Sequence, residues 1–127
     1  MKTFLALAII LSLVVACTAS PTGAKLGEGD RGRTVTVPSK SFITLTLPSN
    51  PTTGYKWTFL LQPDQSFLKL VSSTYNPPTQ QIPGAGGTET WVFQTTGTGT
   101  TEVKLSYIRP SAPQDNPKEF AFTVVVK

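Results

Sequence analysis

The sequence of 127 residues contains no histidine and a single cysteine. Without histidine, the chain lacks the commonest general base, the common catalytic triads and most zinc ligand sets. Cys17 lies in an N-terminal apolar region, which does not suit a buried nucleophile, and one cysteine cannot form a disulfide within the chain. The seven Asp and Glu residues are scattered, with no pair spaced for shared acid–base chemistry. These absences argue against an enzyme and predict neither a metal site nor a cofactor.

Charge is also sparse, at 14% of residues, and the formal net charge is +4. The Lys and Arg side chains are not clustered, so the sequence predicts no nucleic-acid partner. No stretch shows a sustained helical period, which leaves strands as the expected structure.

Residues 1–16 have the pattern of an export signal. Lys2 precedes an apolar run from Phe4 to Ala16 that only Ser12 interrupts. The run is too short to cross a bilayer as a helix, which needs about 20 residues. A buried N-terminal helix fits less well, because no polar face interrupts the run. The expected location is outside the cytoplasm.

Two ways of processing this segment remain open. Val14 to Cys17 resembles the lipobox of bacterial lipoproteins, in which the cysteine becomes the lipidated first residue. Ordinary cleavage after Ala16 or Ala19 satisfies the small-residue rule equally well. The protein would then be secreted or periplasmic, or a lipoprotein whose only membrane contact is a lipid on Cys17. Residues 17–31 are small and polar, and are expected to form a tether or disordered lead-in.

The rest of the chain, residues 32–127, reads as one domain of short alternating runs broken by Pro, Gly and Asn. The alternation places apolar side chains on one face of each run, and it assigns Trp57 and Trp91 to the core. About seven strands with one apolar face each fit an all-β, immunoglobulin-like antiparallel β-sandwich. The predicted strands are 33–37, 41–47, 55–61, 68–75, 88–95, 100–108 and 118–127.

The connections between these strands differ in length. In a sandwich of sequential antiparallel strands, alternate connections emerge at the same end. The second, fourth and sixth connections (48–54, 76–87 and 109–117) are the longest and the richest in Pro and Gly. Three long loops at one end of a rigid scaffold are typical of a recognition surface.

These loops also carry a family resemblance. Three motifs, Asn50-Pro51-Thr52-Thr53-Gly54-Tyr55, Gly84-Ala85-Gly86-Gly87 and Arg109-Pro110, resemble, in the same order, the three loop motifs of the chagasin-type inhibitors of cysteine peptidases. The resemblance implies a monomeric, reversible and competitive inhibitor of papain-like peptidases such as papain and cathepsin L-type enzymes. It implies that the three loops enter the active-site cleft, with Thr52 to Gly54 deepest.

The third motif departs from the family pattern. The family typically has Arg-Pro-Trp, whereas this chain has Ser111 after Pro110. The missing tryptophan removes an aromatic anchor, which predicts weaker inhibition or a different preference among peptidases. The resemblance implies that Arg109 pairs with an acidic or carbonyl group at the rim of the cleft.

Two other functions compete with this one. A non-inhibitory module of the cell envelope would have the same fold with inert loops. A carbohydrate-binding sandwich would expose Trp or Tyr side chains as a stacking platform. Neither predicts this combination of three loops.

Overall fold

The structure, a computed structural model, describes residues 23–112 and 116–127. Within these ranges the chain forms eight strands, numbered in chain order: β1 (Ala24–Leu26), β2 (Thr34–Val37), β3 (Phe42–Ser49), β4 (Lys56–Leu61), β5 (Leu68–Asn76), β6 (Gly87–Thr95), β7 (Gly99–Ile108) and β8 (Lys118–Val126). All seven predicted strands are present, with ends that differ by one or two residues. No helix within the described ranges is long and apolar enough to cross a membrane.

Alternation along the strands builds the core. On β3, Ile43, Leu45 and Leu47 are fully buried, whereas the threonines between them are only partly covered. β8 repeats the pattern with its inward Phe and Val side chains. Trp57 and Trp91 are 3% and 6% exposed, as the alternation predicts. Their burial means that neither tryptophan can serve as the stacking platform of a carbohydrate-binding sandwich.

The eight strands form two four-stranded sheets. The first has the order β1-β3-β6-β5 and the second the order β2-β8-β7-β4. Four of the six pairings are antiparallel, but β1 runs parallel to β3 and β2 runs parallel to β8. The predicted immunoglobulin-like β-sandwich is therefore confirmed, with parallel pairing added at these two edges. β1 and β2 are not joined to their neighbours by hairpins, so no tight turn forces the antiparallel direction.

Strand β1 corrects the expected lead-in of residues 17–31. Ala24–Leu26 pairs with β3, and Leu26 is 3% exposed in the core. A single 3-10 turn, Glu28–Asp30, follows, and Lys118 of β8 forms an ion pair with Glu28. Tertiary pairing, rather than any local pattern, holds these residues in the domain. The predicted signal segment and Cys17 lie outside the described residues.

The register brings three connections to one end of the sandwich. Ser49 at the end of β3 is paired with Gly87 at the start of β6, and Asn76 at the end of β5 is paired with Thr88. In the second sheet, Lys56 is paired with Ile108. The connections 50–55 and 77–86 and the described part of 109–117 therefore lie together, as predicted, and are called the first, second and third loops. Ala24 is paired with Ile43, so β1 begins at the opposite end.

Candidate functional site

The first loop forms a single tight turn. Pro51–Thr53 is a 3-10 turn in which the Thr53 amide donates to the Asn50 carbonyl at 3.2 Å, and the Gly54 amide donates to the Pro51 carbonyl at 3.0 Å. Proline suits the first position of such a turn, because it has no N–H to leave unsatisfied. Gly54 ends the turn in the left-handed region, at φ 82°, which favours glycine. The Asn-Pro-Thr-Thr-Gly sequence thus specifies its own conformation.

Side chains add further order to this turn. The Thr52 hydroxyl donates to Asn50 Oδ1 at 2.5 Å, and the Thr53 hydroxyl donates to the Asn50 carbonyl at 2.6 Å. The Asn50 amide donates to the hydroxyl of Tyr107 at 2.9 Å, which ties the start of the loop to β7. Thr52, Thr53 and Gly54 are exposed and form the tip.

An aromatic column supports the end of the first loop. The Tyr55 ring stacks on Tyr107 with 5.3 Å between centroids, and Tyr107 contacts Trp57 at 5.0 Å. The Trp57 indole N–H donates to the Pro48 carbonyl at 2.9 Å. The column joins the loop to both strands that carry it, because Pro48 lies on β3 and Trp57 on β4.

Arg109 of the third loop packs against the Tyr55 end of this column. Its guanidinium carbon lies 4.8 Å from the centroid of the Tyr55 ring. Its Nε and Nη2 atoms both donate to the Thr53 carbonyl, at 3.0 and 2.7 Å. The side chain therefore braces the first loop of its own chain. The sequence predicted only that Arg109 would pair with a group at the rim of a peptidase cleft, so this internal contact was not expected.

The second loop packs against the first. The Asn50 side-chain amide donates to the Gly84 carbonyl at 3.2 Å. At Gly86 a Cβ atom would lie 3.1 Å from both Asn50 Cβ and the Ser49 carbonyl oxygen, so the absence of a side chain allows this close approach. Ala85 donates to the Ile82 carbonyl within the loop, and Gly87 begins β6.

The second loop also presents an apolar surface. Ile82 is 60% exposed, and a groove of about 360 Å³ lies between this loop, the end of β5 and Thr52. Its lining includes Tyr75 and three prolines. The glycines of this loop were predicted as site residues and Ile82 was not, although an isoleucine beside Pro83 in a Gly/Pro-rich loop indicates an exposed apolar side chain.

The third loop is described as far as Ala112 and again from 116. The Ala112 amide donates to the Arg109 carbonyl at 3.1 Å, so the loop begins with a turn. Pro110 and Ser111 are exposed on this turn. Ser111 thus lies where an aromatic side chain would be free to contact a partner.

Glu89 lies beneath the loops and was not predicted as a site residue. It is half-buried and lies between Leu47 of β3 and Tyr75 of β5 in the register of the sheet. Burial raises the pKa of its carboxyl, and the nearby Ser49 hydroxyl and Trp57 backbone oppose the shift. The sequence does contain a signal for this position. Glu89 lies two residues before Trp91 and four before Phe93, so strand alternation places it on the same inward face.

The chemistry of the loop end is that of a rigid binding surface. Its exposed tip offers hydroxyl groups and backbone amides, which suit recognition rather than bond making. Across residues 23–112 and 116–127, no three His, Cys, Asp or Glu side chains group closely enough to hold a metal ion. All twelve loop residues singled out in the sequence are brought to this end.

Comparison with known proteins finds a family and several relatives that resemble this chain. A family model described as Chagasin family peptidase inhibitor I42 matches residues 36–126. Chagasin from Trypanosoma cruzi is 36% identical over 107 residues, which cover 81% of this chain and 96% of chagasin.

Two solved structures share the fold. The crystal structure of the cysteine protease inhibitor EhICP2 from Entamoeba histolytica matches with a TM-score of 0.72 at 24% identity, covering 83% of this chain and 96% of EhICP2. PbICP-C, solved in complex with falcipain-2, matches with a TM-score of 0.61 at 16% identity, covering 85% of this chain and 93% of PbICP-C.

Proposed function

The chain belongs to the chagasin family of peptidase inhibitors, and from this premise we propose that it is a reversible, competitive inhibitor of papain-like cysteine peptidases whose three loops enter the active-site cleft. The observation that carries the proposal is the bracing of the first loop by the other two. Arg109 of the third loop holds the Thr53 carbonyl, and Gly84 of the second accepts a hydrogen bond from Asn50. The partner class agrees with the complex between PbICP-C and falcipain-2.

A braced loop favours tight binding. The tip residues Thr52 to Gly54 are exposed, yet the turn that carries them has its hydrogen bonds formed within the chain. Little conformational freedom is therefore lost when the loops meet a partner, and preorganisation of this kind strengthens binding. An interface of ordinary size, about 1,600 Å² in total, suits three such loops.

The shape of the first loop explains why it would block a peptidase without being cut. Pro51–Thr53 is a 3-10 turn, whereas a peptide that adds to a protein edge as a strand must be extended. The Thr53 carbonyl is also occupied by Arg109. The loop would fill the cleft while its peptide bonds stay out of attack geometry.

We further propose that the protein acts outside the cytoplasm, either secreted or periplasmic, or held to a membrane by a lipid on Cys17. The order of strands is compatible with an anchor, because β1 begins at the end of the sandwich opposite the loops. A lipid attached ahead of Gly23 would leave the loops facing away from the membrane. Metabolic labelling with a radioactive fatty acid, compared between the natural chain and Cys17→Ser, distinguishes the two modes.

Inhibition kinetics test the central proposal. The mature protein is titrated against papain and a cathepsin L-type enzyme with a fluorogenic peptide, and competitive, reversible inhibition is expected. Thr53→Arg places a long charged side chain on the exposed tip and should raise Ki about 30-fold or more. Thr98→Arg, on an exposed residue of the connection at the opposite end, is the matched control and should leave Ki unchanged. Equal Ki values for the two variants would contradict binding through the loops.

A further inference from the structure

Three lysines that are far apart in the sequence meet at the end of the first sheet opposite the loops. Lys25 lies on β1, Lys69 lies near the start of β5, and Lys40 lies in the turn that leads into β3. Because Leu26 and Leu68 beside them are buried, Lys25 and Lys69 point outward from the sandwich. All three lysines are exposed. The sequence shows no cluster of charge here, because only the pairing of strands brings these residues together.

An exposed aromatic side chain lies between these lysines. Phe42 is 40% exposed and has the outward phase of β3. It is paired with Gln94 of β6, and Gln94 is paired with Lys69. On its other side β1 is paired with β3, and Lys25 is paired with Thr44. Since neighbouring strands are about 4.8 Å apart, Lys25 and Lys69 both lie within about 10 Å of Phe42 along the sheet. Phe42 and the three lysines are called the lysine patch.

Negative charge is sparse on this face of the protein. Among the described residues, Glu89 is the one acidic side chain on a strand of the first sheet, and it has the inward phase at the loop end. Asp64 lies in the connection that precedes β5, where its carboxylate accepts a hydrogen bond from the Ser66 amide. Neither ion pair within the described ranges includes a lysine of the patch. The positive charge of the patch is therefore uncompensated on its own face.

The chain enters the sandwich beside this patch. A Cβ atom on Gly23 would lie 2.9 Å from the carbonyl oxygen of Phe42, and β1 begins at the next residue. Residues 1–22, which include the predicted export signal and Cys17, therefore join the domain next to the patch. Along β3, seven residues separate Phe42 from Ser49 at the loop end, which corresponds to about 23 Å. The patch and the three loops thus lie at opposite ends of the protein.

We propose that the lysine patch binds the surface of a membrane that contains anionic lipids, and that it holds the domain there with the three loops directed away. Each lysine near such a surface raises the partition coefficient about fivefold. Phe42 adds an apolar ring that enters the boundary between headgroups and acyl chains. Because one lipid chain gives only marginal attachment, a basic surface of this kind would also complete an anchor on Cys17. Binding through the patch requires neither that lipid nor inhibition of a peptidase.

Sedimentation with lipid vesicles tests this proposal. The probe is the chain from residue 17 onward with Cys17→Ser, so that no lipid is attached. Its partition coefficient into vesicles of phosphatidylglycerol and phosphatidylcholine should exceed that into phosphatidylcholine alone about a hundredfold, from three lysines. The difference should shrink as salt is added, because salt screens surface charge. Equal partition into the two kinds of vesicle would overturn the proposal.

Two variants of equal charge separate the patch from the net charge of the protein. One variant removes the charge of the patch through Lys25→Gln, Lys40→Gln and Lys69→Gln, and it should lose about a hundredfold in the partition coefficient. The matched control removes the same charge from the second sheet, through Lys56→Gln, Lys104→Gln and Lys118→Gln. The control should stay within about threefold of the natural chain. Equal losses in the two variants would show that net charge alone drives binding, which contradicts the patch.

Phe42 distinguishes a membrane from a soluble polyanion. Phe42→Ser should lower the partition coefficient into anionic vesicles about tenfold and leave the binding of dextran sulfate unchanged. Phe42→Trp keeps a ring at this position, and its fluorescence should shift to shorter wavelength on anionic vesicles. Trp57 and Trp91 are buried and should contribute a constant background. Dextran sulfate binding as tight as vesicle binding, with no shift in fluorescence, would assign the patch to soluble polyanions and refute the proposal.

The orientation on the membrane has its own test. Anionic vesicles should leave the Ki for papain unchanged, since the patch and the loops lie at opposite ends. The variant without the patch lysines is measured beside the natural chain, so that any effect of vesicles on papain itself cancels. A Ki that rises with vesicle concentration for the natural chain alone would contradict the proposed orientation. Vesicle binding is measured without a peptidase, so a failure of the proposed inhibitory function would leave that result standing.

Discussion

Arg109 donates two hydrogen bonds to the carbonyl of Thr53, so the third loop supports the tip of the first. The two residues are 56 positions apart in the chain and meet only because β4 and β7 are paired. The contact links the conformation of the third loop to that of the first. Its consequence is that a change in the third loop should alter the inhibitory geometry of the first.

Replacement of Arg109 by lysine tests this coupling. Lys keeps the charge but lacks the planar fork that bonds Thr53 and covers the Tyr55 ring. Arg109→Lys should therefore raise Ki about tenfold, which corresponds to the loss of one to two hydrogen bonds. Arg33→Lys, at an exposed ion pair with Asp30, should leave Ki unchanged in the same assay. If Arg109→Lys inhibits as well as the natural chain, the charge alone matters and the brace does not.

A tryptophan at the third motif should strengthen inhibition. Ser111 is exposed, and the turn that carries it is described only as far as Ala112. Ser111→Trp adds a large rigid side chain of the kind that dominates interfaces, and Ki should fall about tenfold or more. Ser111→Ala, which removes only the hydroxyl, should change Ki little. A Ki that does not fall with Ser111→Trp would show that the third loop does not approach the peptidase closely.

The contact between the first and second loops predicts an effect on both stability and inhibition. Gly86→Ala would place Cβ 3.1 Å from Asn50 Cβ and from the Ser49 carbonyl oxygen, a tight contact that requires the neighbouring atoms to move by a few tenths of an ångström. We expect a loss of about 1 kcal/mol in the free energy of unfolding, together with a rise in Ki. Gly29→Ala has no atom within 4 Å of its Cβ and should be neutral in urea unfolding and in inhibition.

The glycines show where sequence reasoning succeeded and where it could not. The loop motifs predicted the family, the alternation predicted the seven main strands, and the order of connections predicted the shared end of the loops; all three predictions are confirmed. The resemblance implied only that the glycine-rich loop enters the cleft of a peptidase. The structure adds that Gly86 permits contact with the first loop of the same chain. Such contacts join residues distant in sequence, and no local pattern reports them.

Strand β1 and Glu89 were missed for related reasons. Ala24–Leu26 is too short to show alternation, and it becomes a strand because Leu26 packs in the core and β3 supplies its partner. Glu89 was counted among scattered carboxylates, although its phase in β6 points it inward.

The N-terminal turn makes the fold sensitive to acid. A hydrogen bond and the charge of Lys118 hold the pKa of Glu28 below its ordinary value, and the Gly27 amide and Arg33 do the same for the pKa of Asp30. A lowered folded pKa stabilises the fold above the unfolded pKa, and this contribution is lost as the pH falls through the folded pKa.

Thermal unfolding measures this effect. The melting temperature should fall as the pH drops below about 4.5, the ordinary pKa of a glutamate. Because both groups lie at the surface, salt should weaken the effect. Glu28→Gln should flatten part of this fall, whereas Glu102→Gln should not. Glu89 acts in the opposite sense, since its raised folded pKa makes its contribution largest at low pH and smaller as the pH rises through that pKa. An identical pH profile for Glu28→Gln and the natural chain would contradict the ion pair with Lys118.

The exposed side chain of Ile82 should act as an apolar anchor of the second loop. It is 60% exposed beside the groove that ends at Thr52, so a peptidase that receives the first loop would cover it. Covering most of an exposed isoleucine contributes about 1–2 kcal/mol at about 25 cal/mol per Å². Ile82→Ser should raise Ki roughly tenfold and leave the melting temperature unchanged. Leu60→Ser is the matched control, because Leu60 is 58% exposed on β4 and lies in none of the three loops. If both variants changed Ki alike, the effect would come from general surface polarity. A change for Ile82→Ser alone would place the second loop in the interface. It would also explain how the chain inhibits without a tryptophan at position 111.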